Sequence, residues 1–208
     1  MTENESRRGA RRQQRGLQRQ AEILEAAGLV LVEVGYGDAT TNAIADRAGI
    51  SPGSLYQYFP NKEAIVNALA QHYTRELQAL WDNSFSPEII HQPLNKLVDI
   101  LIDSIIEFEQ ARPGFSVIFF GDDTSPHLAA MGNELHDGTI TRFAQLIGAR
   151  NPSISPERRE LMANVIMRLF KAFIPSIVGL TTQQNPQMVG EMKSVLYGYL
   201  APYIGEPQ

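Results

Sequence analysis

TTNAIADRAGISPGSLYQYFPNKE, running from Thr40 to Glu63, decides how this chain is read. Thr41 is a fitting N-cap for a short helix through Ala48, whose Ile44, Ala45 and Ala48 face inward. Gly49 supplies a left-handed C-cap, Ile50 turns to the core, and Ser51-Pro52 is an N-cap followed by proline at the first helical position. The next helix runs from Pro52 to about Tyr58. Pro60 ends it, and Asn61 caps a further helix that reaches about Trp81. Each local signal agrees with its neighbours, and the layout is that of a helix-turn-helix whose second helix enters the DNA major groove.

The side chains of that second helix sort by spacing. Leu55 and Phe59, four apart, pack inward, while Ser54, Gln57 and Tyr58 fall near one face. Tyr56 adjoins Leu55 and is expected to be partly buried; Gln57 and Tyr58 are expected to be exposed. Gly53 lets the start of the helix approach DNA closely. Amides and hydroxyls donate and accept at base edges and phosphates without the desolvation cost of a charge. Gln57 is the candidate for direct base readout, because a glutamine amide pairs bidentately with adenine.

Upstream, Leu17 to Val34 carries Ile23, Leu24, Ala27, Leu31 and Val34 at helical spacing, and Gly35 stops that helix. Gly28 lies within it and weakens it by ~1 kcal/mol relative to alanine. Residues 1–16 read as a disordered arm made basic by Arg7, Arg8, Arg11, Arg12 and Arg15, with Arg19 just beyond.

That arm bears on the charge balance. The net charge is -5, yet residues 1–62 hold eight basic and seven acidic side chains, against ten and sixteen beyond. The first part can approach phosphate, and the second repels it.

Downstream, a loop with Pro87 and Pro93 precedes helices expected at Leu94–Gln110, Pro113–Phe120, His127–Ile147, Pro156–Leu180 and Pro186–Tyr203. In the helix from Pro156, Leu161, Val165, Leu169 and Phe173 form one apolar stripe, and Met162, Ile166, Phe170 and Ile177 form a second beside it. So broad a surface is covered twice, once by the core and once by a partner subunit.

Other functional classes fall away. The absence of cysteine excludes disulfides and thiolate metal sites. The four histidines show no metal-ligand spacing, and no metal or cofactor is expected. There is no G-x-S-x-G elbow and no P-loop, so nothing points to an enzyme. The first 16 residues hold no apolar core, and the apolar run from Leu169 to Leu180 is too short to span a bilayer. A cytoplasmic protein with no membrane partner is expected.

ATTNAIADRAGISPGSLYQYFPNKEAI, with the preceding ILEAAGLVLVEVGY, resembles the DNA-binding domain of TetR-family transcriptional repressors over about residues 17–70. The resemblance implies an all-α protein. A three-helix DNA-binding domain would occupy 17–65 and a helical ligand-binding and dimerisation domain 66–208. It places Tyr56, Gln57 and Tyr58 on groove-contacting positions, and Thr41 and Lys62 on phosphate-contacting ones. With Thr40, Ser51, Gly53 and Ser54 these make up the expected DNA-binding set. Pro60 stands where a lysine is frequent in the family, which removes one phosphate contact and makes the basic arm more valuable.

The family also implies an effector pocket among the later helices. Phe108, Phe115, Phe119, Met131, His136, Met162, Ile166 and Phe170 are the candidates for its lining, with Phe120, Met167, Phe173 and His127 as further possibilities. The expected protein is a homodimeric repressor, paired through its last two helices and released from a palindromic DNA operator by a small, largely apolar effector. An activator or bifunctional regulator with the same domain, or a ligand-binding protein with a vestigial helix-turn-helix, are the alternatives.

Overall fold

The computed structural model describes residues 3–120, 126–178 and 186–205; side chains are described from residue 13 on, those at 120, 175, 176 and 178 excepted. Among the described residues there are ten helices and no strand. They are α1 (Glu3–Asp38), α2 (Thr41–Arg47), α3 (Pro52–Tyr56), α4 (Lys62–Ser84), α5 (Pro87–Ile90), α6 (Leu94–Gln110), α7 (Phe115–Phe120), α8 (Pro126–Arg150), α9 (Pro156–Val178) and α10 (Pro186–Ile204). The side chains of Arg7, Arg8, Arg11, Arg12 and Phe120, and Leu180 as a whole, lie outside the described residues.

The chain divides into two compact units. The first runs through His72 and takes up the chain again from Pro113; the second begins at Tyr73, runs to Arg112 and includes α8 to α10. The boundary expected at residue 65 therefore lies further along α4, and α7 belongs with the helix-turn-helix.

In the first unit Ile23, Ala27 and Leu31 of α1 are fully buried, as their spacing predicts, together with Ile44, Leu55 and Ile65. Each such aliphatic side chain contributes about 1.5–3 kcal/mol through burial. Val34, expected on the same face, is 47% exposed. It lines an open groove with Glu33, Asp46 and Arg47, just before Gly35 leaves helical geometry at φ 75°. Residues 3–16, expected to be disordered, continue α1 instead. No proline or β-branched residue interrupts them, and their Arg, Gln, Glu and Ala are strong helix formers.

Gly28 has a use that its helix propensity conceals. A Cβ on Gly114, which has φ 85°, would lie 2.9 Å from the Gly28 carbonyl oxygen and 3.2 Å from its Cα. The segment entering α7 thus rests directly on the α1 backbone, and Phe115 and Ile118 are buried beyond it.

The second unit buries Leu97 and Ile102 of α6, Ile147 of α8, Met162 and Ile166 of α9 and Leu196 of α10. Arg150, 2% exposed, ends α8 by donating to the Ile204 carbonyl at 3.1 Å, the Gln92 carbonyl at 2.7 Å and the Ile90 carbonyl. A cation among carbonyls at helix ends is electrostatically favoured. It also accounts for α5, a helical turn where only a loop was expected: Ser86-Pro87 starts the turn and Arg150 accepts its end.

The two stripes of α9 separate as expected. Met162, Ile166, Phe170 and Ile177 are buried, while Val165, Leu169 and Phe173 are half-buried and Leu161 is 52% exposed. Val195 and Tyr197 of α10 are exposed as well. Among the described residues no helix is long and apolar enough to cross a membrane.

Candidate nucleic-acid interface

Thr40, rather than Thr41, caps α2. Its backbone is extended, and its Oγ1 accepts the Ala43 N–H at 3.1 Å. The Thr41 hydroxyl is therefore free of capping duty and lies 3.1 Å from the Tyr56 hydroxyl at the far end of α3. Ser51 caps α3 as expected, its Oγ accepting the Ser54 N–H at 3.1 Å, with the two hydroxyls 2.9 Å apart. Gly49, at φ 65°, makes the turn between the two helices.

α3 is shorter than expected, ending at Tyr56 with Gln57 as its C-cap. The chain continues in a tight turn, in which the N–H groups of Tyr58 and Phe59 both bond the Leu55 carbonyl, at 2.9 and 3.0 Å. Leu55 and Phe59 are buried and hold this segment to the core. Tyr56, expected to be partly buried, is 51% exposed, whereas Tyr58, expected to be exposed, is half-buried. The early end of the helix explains the exchange. Beyond Gln57 the chain bends back toward α4 and draws Tyr58 in with Phe59. Gln57, Ser51 and Gly53 are exposed and Ser54 is half-buried.

Lys62, at the start of α4, is half-buried and already engaged. Its Nζ donates to the Tyr36 carbonyl at 2.8 Å and the Gly37 carbonyl at 3.1 Å, and sits 4.6 Å from the centre of the Tyr36 ring. A cation there meets the carbonyls at the end of α1 and an aromatic face at once. Asn61 caps α4 as read, its Oδ1 accepting the Ala64 N–H at 2.8 Å. The partnership of Tyr36 with Lys62 was not visible in the sequence, since 26 residues separate the two.

The residues read as lining an effector pocket do not come together. Phe115 and Phe119 stack at 4.7 Å within the first unit, in α7. Phe108 and Met162 are buried side chains of the second unit's core. Ile166 and Phe170 line an apolar void of about 20 Å³ with Phe143 and Leu200, no larger than a water molecule needs. Met131 borders a separate cavity of about 170 Å³ between α4 and α8, with Thr74, Gln78, Trp81, Glu134 and Arg142. His136 is half-buried on α8 next to that lining, and His127 is exposed. Among the described residues no group of three or more His, Asp or Glu is placed to hold a metal.

The recognition segment and the helices behind it each match a family model. Residues 23–69 match the model of bacterial regulatory proteins of the tetR family, and residues 93–200 match the tetracyclin repressor-like C-terminal domain. The chain belongs to the TetR family. It is a transcriptional regulator with a DNA-binding helix-turn-helix, not an enzyme.

Relatives of this TetR-family chain include the nucleoid occlusion factor SlmA of Glaesserella parasuis, 29% identical over 61% of this chain and 59% of that protein. The transcriptional activator FasR of Mycolicibacterium smegmatis is 30% identical over 70% of this chain and 66% of that protein. The match thus spans about three-fifths of the SlmA relative's length. Among solved structures, the fatty acid degradation regulator FadR of Bacillus halodurans superposes with a TM-score of 0.66 at 20% identity, over 86% of this chain and 95% of that one. A transcriptional regulator from Rhodococcus reaches 0.70 at 16% identity, over 88% and 96%. These superpositions bear on the fold: all-α, with an N-terminal helix-turn-helix and a C-terminal helical domain.

Proposed function

We propose that this protein is a homodimeric repressor that holds a palindromic operator through α3 and releases it when a small, largely apolar molecule enters the second unit. The observation that carries the reading is the division of labour in and just after α3. Leu55 and Phe59 are buried, and Tyr56 and Gln57 are thereby held in solvent. In this reading Gln57 reads a base edge, and Tyr56, Tyr58, Ser54 and Gly53 complete the groove contact. Thr40, Thr41 and Ser51 approach phosphates through the N-termini of α2 and α3. Lys62 lends its positive charge from the α4 terminus while clamping the end of α1. The basic residues at the start of α1 add a sequence-independent phosphate contact.

Dimerisation would cover the exposed Leu161, Val195 and Tyr197 of α9 and α10. Two α3 helices must then lie about 34–36 Å apart to meet successive turns of one groove face. A ligand that favours another spacing lowers operator affinity by linkage. The absence of a long apolar helix among the described residues agrees with a cytoplasmic site of action.

A mobility-shift screen of genomic fragments at modest salt tests the reading. It should isolate a specific, roughly palindromic fragment; binding without preference, or none, would leave a ligand-binding protein with a vestigial helix-turn-helix. Deleting residues 1–16 should flatten the salt dependence of binding. A second reading, activation from the same operator, is favoured by the relationship to a protein named as an activator. Reporter output with and without the protein separates the two.

A further inference from the structure

Trp81 is the chain's one tryptophan and is 3% exposed, yet its indole N–H is buried with no acceptor among the described residues. One face of α4 also carries Thr74, whose Oγ1 is buried and equally without a partner. Both side chains border the cavity of about 170 Å³ between α4 and α8. Buried donors are nearly always satisfied, and leaving one unpaired is costly. Two orphans on one cavity wall point to an acceptor that arrives from outside the chain.

The rest of the lining narrows what that acceptor belongs to. The Trp81 ring is fixed by Phe85 at 5.4 Å and by Phe143 at 5.8 Å, so the N–H is held in place. Thr139, also in the wall, spends its hydroxyl proton on the Leu135 carbonyl at 2.9 Å. Arg142 is paired with Asp82, and Glu134 adds a negative charge at the rim. No unmatched positive charge is left to favour a carboxylate over a neutral acceptor. Met131 supplies an adaptable apolar wall. An apolar cavity of roughly 150 Å³ holds a benzene molecule, which sets the size of the occupant.

We infer that the cavity between α4 and α8 binds a compact neutral molecule whose carbonyl-type oxygen accepts from Trp81 Nε1–H and Thr74 Oγ1–H. The inference deepens the effector reading and rests on it for its regulatory meaning; the binding itself stands on the cavity and its two orphan donors.

A single tryptophan makes the test direct, because the full-length protein has one indole N–H signal in a proton–nitrogen NMR spectrum. Cyclohexanone, as probe, should move that signal downfield and saturably. Methylenecyclohexane, of the same shape without the oxygen, should bind roughly tenfold or more weakly. Trp81→Phe should abolish the preference between the two compounds in a thermal-shift assay. Gly138→Leu should abolish binding while the protein stays folded. Gly138 lies in the same α8 stripe of the wall, and a Cβ added there meets nothing within 4 Å.

No response, an equal response to both compounds, or an unchanged response in Gly138→Leu would overturn the inference. Release of the operator by some other molecule, with the indole signal unmoved, would sink this site and leave the effector reading standing. A moving signal with no change in operator binding would do the reverse.

Discussion

The hydroxyls of Thr41 and Tyr56 lie 3.1 Å apart, joining the first residue of α2 to the last residue of α3. The contact sets the angle at which the exposed Tyr56 ring leaves the surface. Tyr56→Phe keeps the ring and removes the link. Because both groups reach solvent, folding stability should change by less than about 0.5 kcal/mol. Operator affinity should fall by ~0.5–1.5 kcal/mol alike for all sequences in an anisotropy titration. A loss confined to one operator base would make Tyr56 a reader.

Gln57→Ala should cost ~1–3 kcal/mol at the preferred operator and relax the preference at one base position. Its side chain is exposed at the end of α3, so the thermal midpoint should stay where it is. Selection from a randomised operator library reads the preference. A uniform loss would reduce Gln57 to a positioning contact.

Lys62→Met tests the clamp on α1. Two carbonyls lose an ammonium donor, and Tyr36 loses the cation at its face. The expected cost is about 1–2 kcal/mol in denaturant midpoint, moderated because the site is only half-buried. DNA affinity should fall without a change in sequence preference. Loss of DNA affinity at unchanged stability would assign Lys62 to phosphate alone.

Gly114→Ala should destabilise by about 2 kcal/mol or more. The new methyl meets the Gly28 carbonyl oxygen at 2.9 Å, and φ 85° is itself unfavourable for alanine. Thermal unfolding of the variant measures it. Gly138→Ala, with nothing within 4 Å of the added atom, serves as the control that should not lose stability.

Lys193 lies between Asp103, at 2.7 Å, and Asp99, at 3.1 Å. Burial works against its charge, but the hydrogen bonds and charges of Asp103 and Asp99 hold its pKa above the usual lysine value. A folded pKa above the unfolded one means that the stabilisation is complete below about pH 10.4 and is lost as pH rises through the folded value. Tyr199, pushed up chiefly by burial, acts in the same direction. Lys193→Met should therefore cost about 1 kcal/mol or less at neutral pH and show a shallower alkaline decline than the parent, though not a flat one. Identical slopes would remove Lys193 from the alkaline transition.

The helix-turn-helix was legible because its signals are local. Ser51 and Pro52, Gly49 and Asn61 act within four residues of themselves, and the structure keeps all of them. Thr40 and Thr41 exchanged roles because adjacent threonines offer the same cap, and only the tertiary partner of one decides between them. Lys62 with Tyr36, and Trp81 with the wall of α8, depend on contacts across 26 and about 50 residues that no local pattern encodes. The aromatic residues read as pocket lining failed for a related reason. Phe115 looks the same in sequence whether it fills one unit's core or the other's.

Anchoring and display are assigned to different side chains around α3: Leu55 and Phe59 carry the packing, while Tyr56 and Gln57 carry the exposed chemistry. The surface letters can therefore be rewritten with little cost to the scaffold. A lineage carrying this fold can drift from one DNA sequence to another through viable single substitutions, each intermediate still folded. Its vocabulary is free to change because its grammar is kept elsewhere.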